Sequence, residues 1–252
     1  MQHRVVGTTM PAIEFRLDHG EAIVSESGQL SWMSAAIQMR THTQMAGGGG
    51  LFGALKRVAG GGSLFMTEYR AMGEAGEVAF AARMPGHIVP VELGAAREYL
   101  VHRHGFLCAT EQVTLAVGFQ QSLGAGIFGG DGFLLQKVGG SGTAWLELSG
   151  EVLVKDLQPG ETLRVHPGHV GAFESGVSFQ IARVPGIRNM IFGADGIFLA
   201  ALTGPGRVWL QTLPLANLAH ALQDYLPAGG GTRAAEAGVV GGIVGSLLDG
   251  MR

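Results

Sequence analysis

The chain has 252 residues, of which 46% are hydrophobic and 15% are charged, and its formal net charge at pH 7 is −3. This charge excludes a strongly basic protein that would be drawn electrostatically to nucleic acid or to anionic lipid. Its 43 glycines make up more than twice the share of about 7% that glycine usually has in soluble proteins. Such frequent glycine is typical of tight turns between short strands. The composition therefore favours an all-β protein without a nucleic-acid partner.

The first predicted elements are two alternating strands separated by a glycine turn, between Ile13 and Gly28. A second version of this pattern lies between Val152 and Gly168, and the middle version, from Ile88 to Gly105, is less regular. Apolar residues at every second position, with Gly, Pro and Asp at the breaks, predict half-buried strands and tight turns.

An excursion at residues 46–62 is unique to the first part of the chain. It is flanked by the glycine runs Gly47–Gly50 and Gly60–Gly62 and contains the adjacent basic pair of the sequence. A loop with this apolar content is expected to pack or to bind something, and a small ligand or a lipid is one alternative. The basic pair itself is expected to be a solvated turn rather than a phosphate contact. The candidate interaction residues here are Leu51, Phe52, Leu55, Lys56, Arg57 and Val58.

A glycine-rich block of the sequence occurs more than once, and internal repeats of this kind indicate the architecture of the fold. It runs from Phe192 to Leu210, has a fainter copy from Phe128 to Leu146, and a more divergent copy between Phe52 and Phe80. We interpret each copy as a β-hairpin and expect Trp145 and Trp209, at matching positions, to be core residues. The blocks predict three antiparallel units at about 10–86, 87–150 and 151–213.

These units are expected to pack around a pseudo-threefold axis, as a β-prism or a short double-stranded β-helix, because the strands of an all-β body must hide their edges. One C-terminal amphipathic helix is predicted at residues 214–226, where Leu215, Leu218, Leu222 and Tyr225 share a face and Pro214 suits a helix start. We expect this helix to pack on the β body.

The tail, residues 227–252, is Gly-rich and apolar. Its stretch from Ala237 to Leu248 contains two overlapping Gly-x-x-x-Gly spacings. This stretch is shorter than the roughly 20 residues that a membrane helix needs. A disordered or loosely docked tail is the leading expectation, with a subunit contact and membrane association as alternatives.

The sequence contains one metal-site candidate. His102 and His104, spaced by two, would share one face of a strand, and Glu111 and His169 could complete the site. With Gly118, Gly160 and the Pro-Gly-His ending at His169, these residues resemble the cupin pattern, which would hold a divalent transition metal and support a metal-dependent enzyme of the double-stranded β-helix type. However, Glu111 is displaced from the cupin position, and the second half lacks the expected spacing. The alternative is a pair of solvent-exposed histidines.

Cys108 and Arg207 are two further residues whose roles the sequence suggests. Cys108, the single cysteine, lies in an apolar run without an activating base and is predicted to be a buried small hydrophobe. A single cysteine excludes an intramolecular disulfide, and Met1–Gly7 lacks a signal-peptide pattern, so a cytoplasmic location is expected. Arg207, two residues before Trp209, is a candidate for a specific interface or for a core salt bridge.

A family resemblance is carried by five segments: Gly61–Met66, Gly76–Ala81, Pro85–Val91, Pro159–Leu163 and Leu202–Leu210. Together they resemble the "altered inheritance of mitochondria" family number twenty-four, over residues 10–226. The resemblance implies a β-rich fold similar to the tryptophan RNA-binding attenuation protein, with three related units about a pseudo-threefold axis. It implies no established enzymatic activity, and it supplies no catalytic residues. Eukaryotic members are linked to the organisation of the mitochondrial inner membrane.

The sequence thus predicts a non-enzymatic scaffold or adaptor, without a cofactor, that self-associates as a homo-oligomer or binds a protein partner. The chain lacks the repeated basic and aromatic surface that RNA binding requires. A metal-dependent enzyme and a small-ligand or lipid-binding protein are the alternatives.

Overall fold

The structure is a computed structural model, and it describes residues 1–43, 65–121, 133–183, 198–223 and 225. Three sequence expectations fall outside these ranges: the tail at 227–252, the Phe-Gly starts of the repeat blocks, and the candidate interaction residues Leu51, Phe52, Leu55, Lys56, Arg57 and Val58.

The described chain is almost entirely β, as predicted. A first strand, β1, is Gln2–Val6, and the strands that follow fall into three sets of six. The first set, β2 to β7, is Ala12–Leu17, Ala22–Glu26, Trp32–Met33, Ile37–Thr43, Phe65–Ala71 and Gly76–Ala81. The second set, β8 to β13, is Gly86–Leu93, Tyr99–His102, Phe106–Thr110, Val113–Gln121, Phe133–Gly140 and Gly142–Ser149. The third set, β14 to β19, is Val152–Leu157, Thr162–Val165, Val170–Glu174, Ser178–Arg183, Phe198–Thr203 and Gly206–Gln211.

Two helical segments accompany the strands. A short 3₁₀ turn covers Pro167–His169, and helix α1 covers Leu215–Gln223, within the predicted 214–226. Residues 1–216 form one compact unit and include every strand described above, whereas the chain from Asn217 onward belongs to a second unit.

Strand pairing follows one scheme in all three sets. Within each set the first strand pairs with the sixth, the second with the fifth, the third with the sixth and the fourth with the fifth, always antiparallel. Strands β3 and β10 join the first set to the second, and β9 and β16 join the second to the third. The sheet orders are β1-β2-β7-β4, β5-β6-β3-β10-β13-β8, β11-β12-β9-β16-β19-β14 and β15-β18-β17. The pseudo-threefold axis stays a prediction.

The expectation that the repeated block is a hairpin is wrong. Strands β12 and β13, on either side of its glycine turn, lie in different sheets, and so do β18 and β19. Residues Gly140, Gly142 and Gly206 in these turns have positive φ angles of 91°, 121° and 145°. An alternating strand has the same sequence pattern whether it pairs with its neighbour in the chain or with a distant strand, so the turn residues alone do not select the partner.

The turns before β3 and before β15 have the same hydrogen bonds. The N–H of Glu21 donates to the Asp18 carbonyl oxygen and that of Glu161 to the Gln158 carbonyl oxygen, each at 2.9 Å. The Oε2 atoms of these two glutamates accept from the N–H groups of Asp18 and Gln158, also at 2.9 Å. Each carboxylate therefore holds its own turn closed.

The core contains the tryptophans of the repeated block, as predicted, with Trp145 2% and Trp209 8% exposed. Each faces a small residue on the neighbouring strand: Trp145 is opposite Cys108, and Trp209 is opposite Ala172. In the first set the sizes are exchanged, because Trp32 on β4 is opposite Ala79 on β7. Unlike Trp145 and Trp209, Trp32 is 48% exposed. Cys108 is fully buried, and burial raises the pKa of its thiol.

The first prediction concerns Gly86, the first residue of β8. A Cβ atom there would lie 2.0 Å from the carbonyl oxygen of Leu148, in backbone that cannot move independently. Gly86→Ala is expected to lower the free energy of unfolding by about 1–3 kcal/mol, measured by urea denaturation. Gly94→Ala is the matched control, because a Cβ at Gly94 has no atom within 4 Å. Equal effects of the two substitutions would contradict this packing.

Candidate functional site

A cavity of about 250 Å³ lies in the compact unit of residues 1–216. The connection between β7 and β8 supplies its arginine, the end of β9 and the following turn supply its histidines, and β13 and β19 supply its remaining polar side chains. Its lining residues are Arg83, Met84, His102, His104, Glu147, Ser149, Gln211 and Leu215. The cavity therefore combines an ion pair, two imidazoles and an apolar wall.

Glu147 is the most buried carboxylate of this site, with its side chain 8% exposed. Its Oε1 accepts from Arg83 Nε at 2.8 Å and from Gln29 Nε2 at 3.3 Å, and its Oε2 accepts from the backbone N–H of Arg83 at 2.7 Å. Three donors offset the cost of burying this charge. Arg83 therefore donates to both oxygens of the Glu147 carboxylate, from its backbone N–H and from Nε.

A second, partly buried carboxylate extends the site. Glu26 Oε1 accepts from Gln136 Nε2 at 2.6 Å, while Gln136 Oε1 has no hydrogen-bond partner among the described residues. Burial raises the pKa of Glu26, and the nearby charge of Glu147 adds to this, whereas the bond from Gln136 and the charges of Arg83 and Arg103 oppose it. We call Glu26, Gln29, Arg83, Gln136 and Glu147 the polar cluster.

His102 is held over a glycine. A Cβ on Gly105 would lie 2.7 Å from His102 Cδ2 and 2.8 Å from Nε2, so the ring occupies the space that a larger residue would fill. His102 Nε2 lies 3.3 Å from the carbonyl oxygen of Glu147, which suits a neutral ring donating from Nε2. Burial lowers the pKa of His102 to about 4, with smaller contributions from His104 and Arg83, while the Glu147 carbonyl opposes the shift.

His104 lies in the turn after β9 rather than on the strand, yet it also lines the cavity. Burial lowers its pKa, and the positive charges of Arg83 and Arg103 lower it further. Arg83 Nη2 also lies 3.4 Å from the His104 carbonyl oxygen. The expectation that His102 and His104 share one face of a strand is therefore wrong, because β9 ends at His102, although both residues line the cavity.

The four proposed metal ligands do not form one site. Glu111 is exposed and pairs with Arg70, and Nδ1 of His169 lies 2.8 Å from the carbonyl oxygen of Gln211. Only His102 and His104 line the cavity. Within the described ranges, no group of three or more His, Cys, Asp or Glu side chains is arranged to hold a metal ion. The sequence spacing was compatible with a site, but Glu111 lies in the turn after β10 and His169 in the 3₁₀ turn, where each contacts other groups.

Arg207 makes a surface ion pair, so the alternative of a core salt bridge is wrong. Its side chain is 49% exposed, and Nε and Nη2 donate to the two carboxylate oxygens of Asp156 at 2.6 and 3.0 Å. The Arg207 guanidinium lowers the pKa of Asp156. The residue joins β19 to the outermost strand of its sheet, β14.

Sequence reasoning missed the polar residues that hold the site together. Glu147 is a single acid in a strand whose other central residues are apolar, and Gln211 is 5% exposed with Nε2 donating to the Gly168 carbonyl oxygen at 3.1 Å. A charged residue inside a strand that is buried on both faces was the available signal for Glu147. Nothing in the sequence pairs it with Arg83.

The sequence profile of the mitochondrial biogenesis AIM24 family matches residues 3–213, which include the described strands apart from Gln2, the first residue of β1. The chain belongs to this family. The resemblance seen in the sequence is thereby confirmed. One relative is an uncharacterised protein of Streptococcus pyogenes serotype M6. The two sequences are 28% identical over 221 residues, which cover 86% of this chain and 87% of the relative.

A crystal structure of a Streptococcus pyogenes protein has the same fold as this AIM24-family chain. The two superpose with a TM-score of 0.70 at 24% identity, over 89% of this chain and 99% of the other. At this identity the likeness concerns the fold alone. Among the described residues, no helix has both the length and the apolar content needed to cross a bilayer.

The second prediction concerns His102 and acid. Because the folded pKa of about 4 lies below the ordinary 6.5, the unfolded chain binds a proton in this interval while the folded chain does not. The free energy of unfolding is therefore expected to fall as the pH is lowered through this window, by about 2–3 kcal/mol from His102 alone. His102→Gln, which keeps a donor for the Glu147 carbonyl, should flatten the curve in urea denaturation between neutral and acidic pH. An unchanged slope in this variant would contradict the assignment.

The third prediction concerns Glu26. Its pKa is raised, so its effect on the pH dependence of stability is opposite to that of His102. The folded chain binds its proton more readily than the unfolded chain, so this group favours folding as the pH falls and costs stability at neutral pH. Glu26→Gln should raise the free energy of unfolding at pH 7 by about 1 kcal/mol, because an amide can donate to Gln136 Oε1. Glu26→Ala is the control, since it leaves Gln136 without its partner and should destabilise. A Glu26→Gln variant less stable than the native chain would contradict this account.

Proposed function

We propose that this protein is a non-enzymatic scaffold that self-associates through strand β14. The observation that carries the proposal is the exposure of this strand. It is the last strand of its six-stranded sheet, and four consecutive residues of it are exposed, including Leu153 at 47% and Val154 at 48%. Neighbouring residues in a strand point to opposite faces, so β14 exposes apolar side chains on both faces beside an open backbone edge.

Three other edge strands, β8, β4 and β11, have features that disfavour pairing with another strand. Strand β8 carries Pro90, which has no N–H to donate, and β4 is only two residues long. Strand β11 has a register shift between Val117 and Phe119, which bends an edge away from a partner. Strand β14 instead pairs with β19 over six consecutive residues without a shift. It is therefore a regular edge that a second strand could extend.

The exposed apolar residues of β14 fit a second copy of the same strand. If two copies pair antiparallel about a twofold axis at residue 154, Val154 of each copy faces Val154 of the other, and Leu153 of each copy faces Lys155 of the other. Apolar side chains then meet at the centre of the contact, and a twofold contact uses the same patch on both copies. Arg207 bonded to Asp156 would lie beside this contact, which supports its role as an interface residue.

The contacts within the cavity support a structural role for its ion pair. Both oxygens of Glu147 are engaged by donors of Arg83 and Gln29, as in a group that fixes neighbouring segments. The AIM24-family relationship adds no reaction to this description.

The fourth prediction tests the association. The native chain is expected to show concentration-dependent self-association in sedimentation velocity, and the double variant Leu153→Lys, Val154→Lys should weaken it at least about tenfold, because charges replace apolar side chains at the contact. Val117→Lys is the matched control, since Val117 is 44% exposed on the protected edge β11. A native chain that stays monomeric, or equal weakening by the control, would contradict the proposal.

A further inference from the structure

We infer that the cavity beside the polar cluster binds a compact organic anion through its carboxylate or phosphate group, with Arg83 as the anchoring residue. Arg83 is held at its backbone N–H and at Nε by Glu147, while its side chain remains 41% exposed. At the Nη end of the guanidinium, Nη2 lies 3.4 Å from the His104 carbonyl oxygen, and the remaining N–H groups can donate to a carboxylate or phosphate. Because Glu147 already fixes the arginine, little side-chain freedom is lost when a ligand binds.

Glu147 does not compete for this role. Its side chain is 8% exposed, and both of its oxygens accept hydrogen bonds from the protein. The exposed part of the ion pair is therefore the cation. His104 and Ser149 also line the cavity, and their side chains are of types that can add hydrogen bonds to an anion.

Positive charges lie near the two histidines, as anion binding requires. Arg83 and Arg103 both lower the pKa of His104, and Arg83 also lowers that of His102. Arg83 and Arg103 therefore both contribute positive potential at His104. A bound anion would offset this potential and would favour a protonated His104.

The size and the remaining walls restrict the ligand. A volume of about 250 Å³ corresponds to roughly eight water molecules, which suits a small metabolite. Met84 and Leu215 supply an apolar wall for a short hydrocarbon part. None of the lining residues belongs to β14, so this site is independent of the proposed self-association.

The fifth prediction uses the full chain and two probes, inorganic phosphate and acetate, titrated at constant ionic strength. The ring resonances of His104 and His102 in NMR should shift saturably with at least one probe, while those of the distant, exposed His19 should not. The probe that saturates identifies the class, phosphate or carboxylate. Absence of a saturable shift with both probes, or an equal shift of His19, would overturn the inference.

Variants show whether Arg83 is the anchor. Arg83→Lys keeps the charge beside Glu147 but removes the Nη donors, and it should weaken binding about tenfold. Arg164→Lys makes the same change at an exposed residue of β15 and should leave binding unchanged. Ser149→Ala, which removes one wall hydroxyl, should weaken binding several-fold and serves where Arg83→Lys does not fold. Equal effects of the Arg83 and Arg164 substitutions would refute the anchoring role.

The two proposals fail in distinguishable ways. Sedimentation of the Arg83→Lys chain reports on β14 alone, and anion titration of the Leu153→Lys, Val154→Lys chain reports on the cavity alone. A chain that associates but binds neither anion would overturn only the inference about the cavity.

Discussion

Strands β3 and β10 hydrogen-bond to each other across the boundary between the first two sets of strands, and β9 and β16 do the same between the second and the third. Since an open strand edge leaves backbone donors and acceptors unpaired, these two ladders convert edges of separate sets into the interiors of six-stranded sheets. At the first of them Ser25 Oγ donates at 2.6 Å to the carbonyl oxygen of Leu107, the residue at which β10 shifts its register. The irregular point of the ladder is thus satisfied from the neighbouring set.

The position of the polar cluster follows from the same joining of sheets. Glu26 and Gln29 come from the first set of strands, Gln136 and Glu147 from the second, and Arg83 from the connection between them. Removal of one partner from such a group leaves an uncompensated buried charge, so the cluster links the sets more specifically than apolar contact does. Its hydrogen bonds also determine which parts of it face the cavity: the carboxylate is engaged and the guanidinium is accessible.

The self-association and the anion site depend on different physical properties of the body. Association at β14 rests on an edge left regular and apolar, whereas anion binding rests on a cation fixed by a buried acid. The two features share strand β19, which pairs with β14 through Arg207 and supplies Gln211 to the cavity. A ligand that alters the end of β19 would therefore act close to the proposed contact between copies.

The sequence by itself determined the all-β class, the burial of Trp145, Trp209 and Cys108, the helix that begins near Leu215, and the family. These depend on local alternation, on turn residues and on a set of short motifs, all of which can be read along one chain. Only the tertiary structure decided which strands pair, because a strand has the same pattern in a hairpin as in a sheet formed with distant strands. It also separated Glu111 and His169 from His102 and His104, and it brought Arg83 to Glu147, which lies 64 residues away in the chain. Contacts at such separation follow from the pairing of whole strands, and residue spacing carries no record of them.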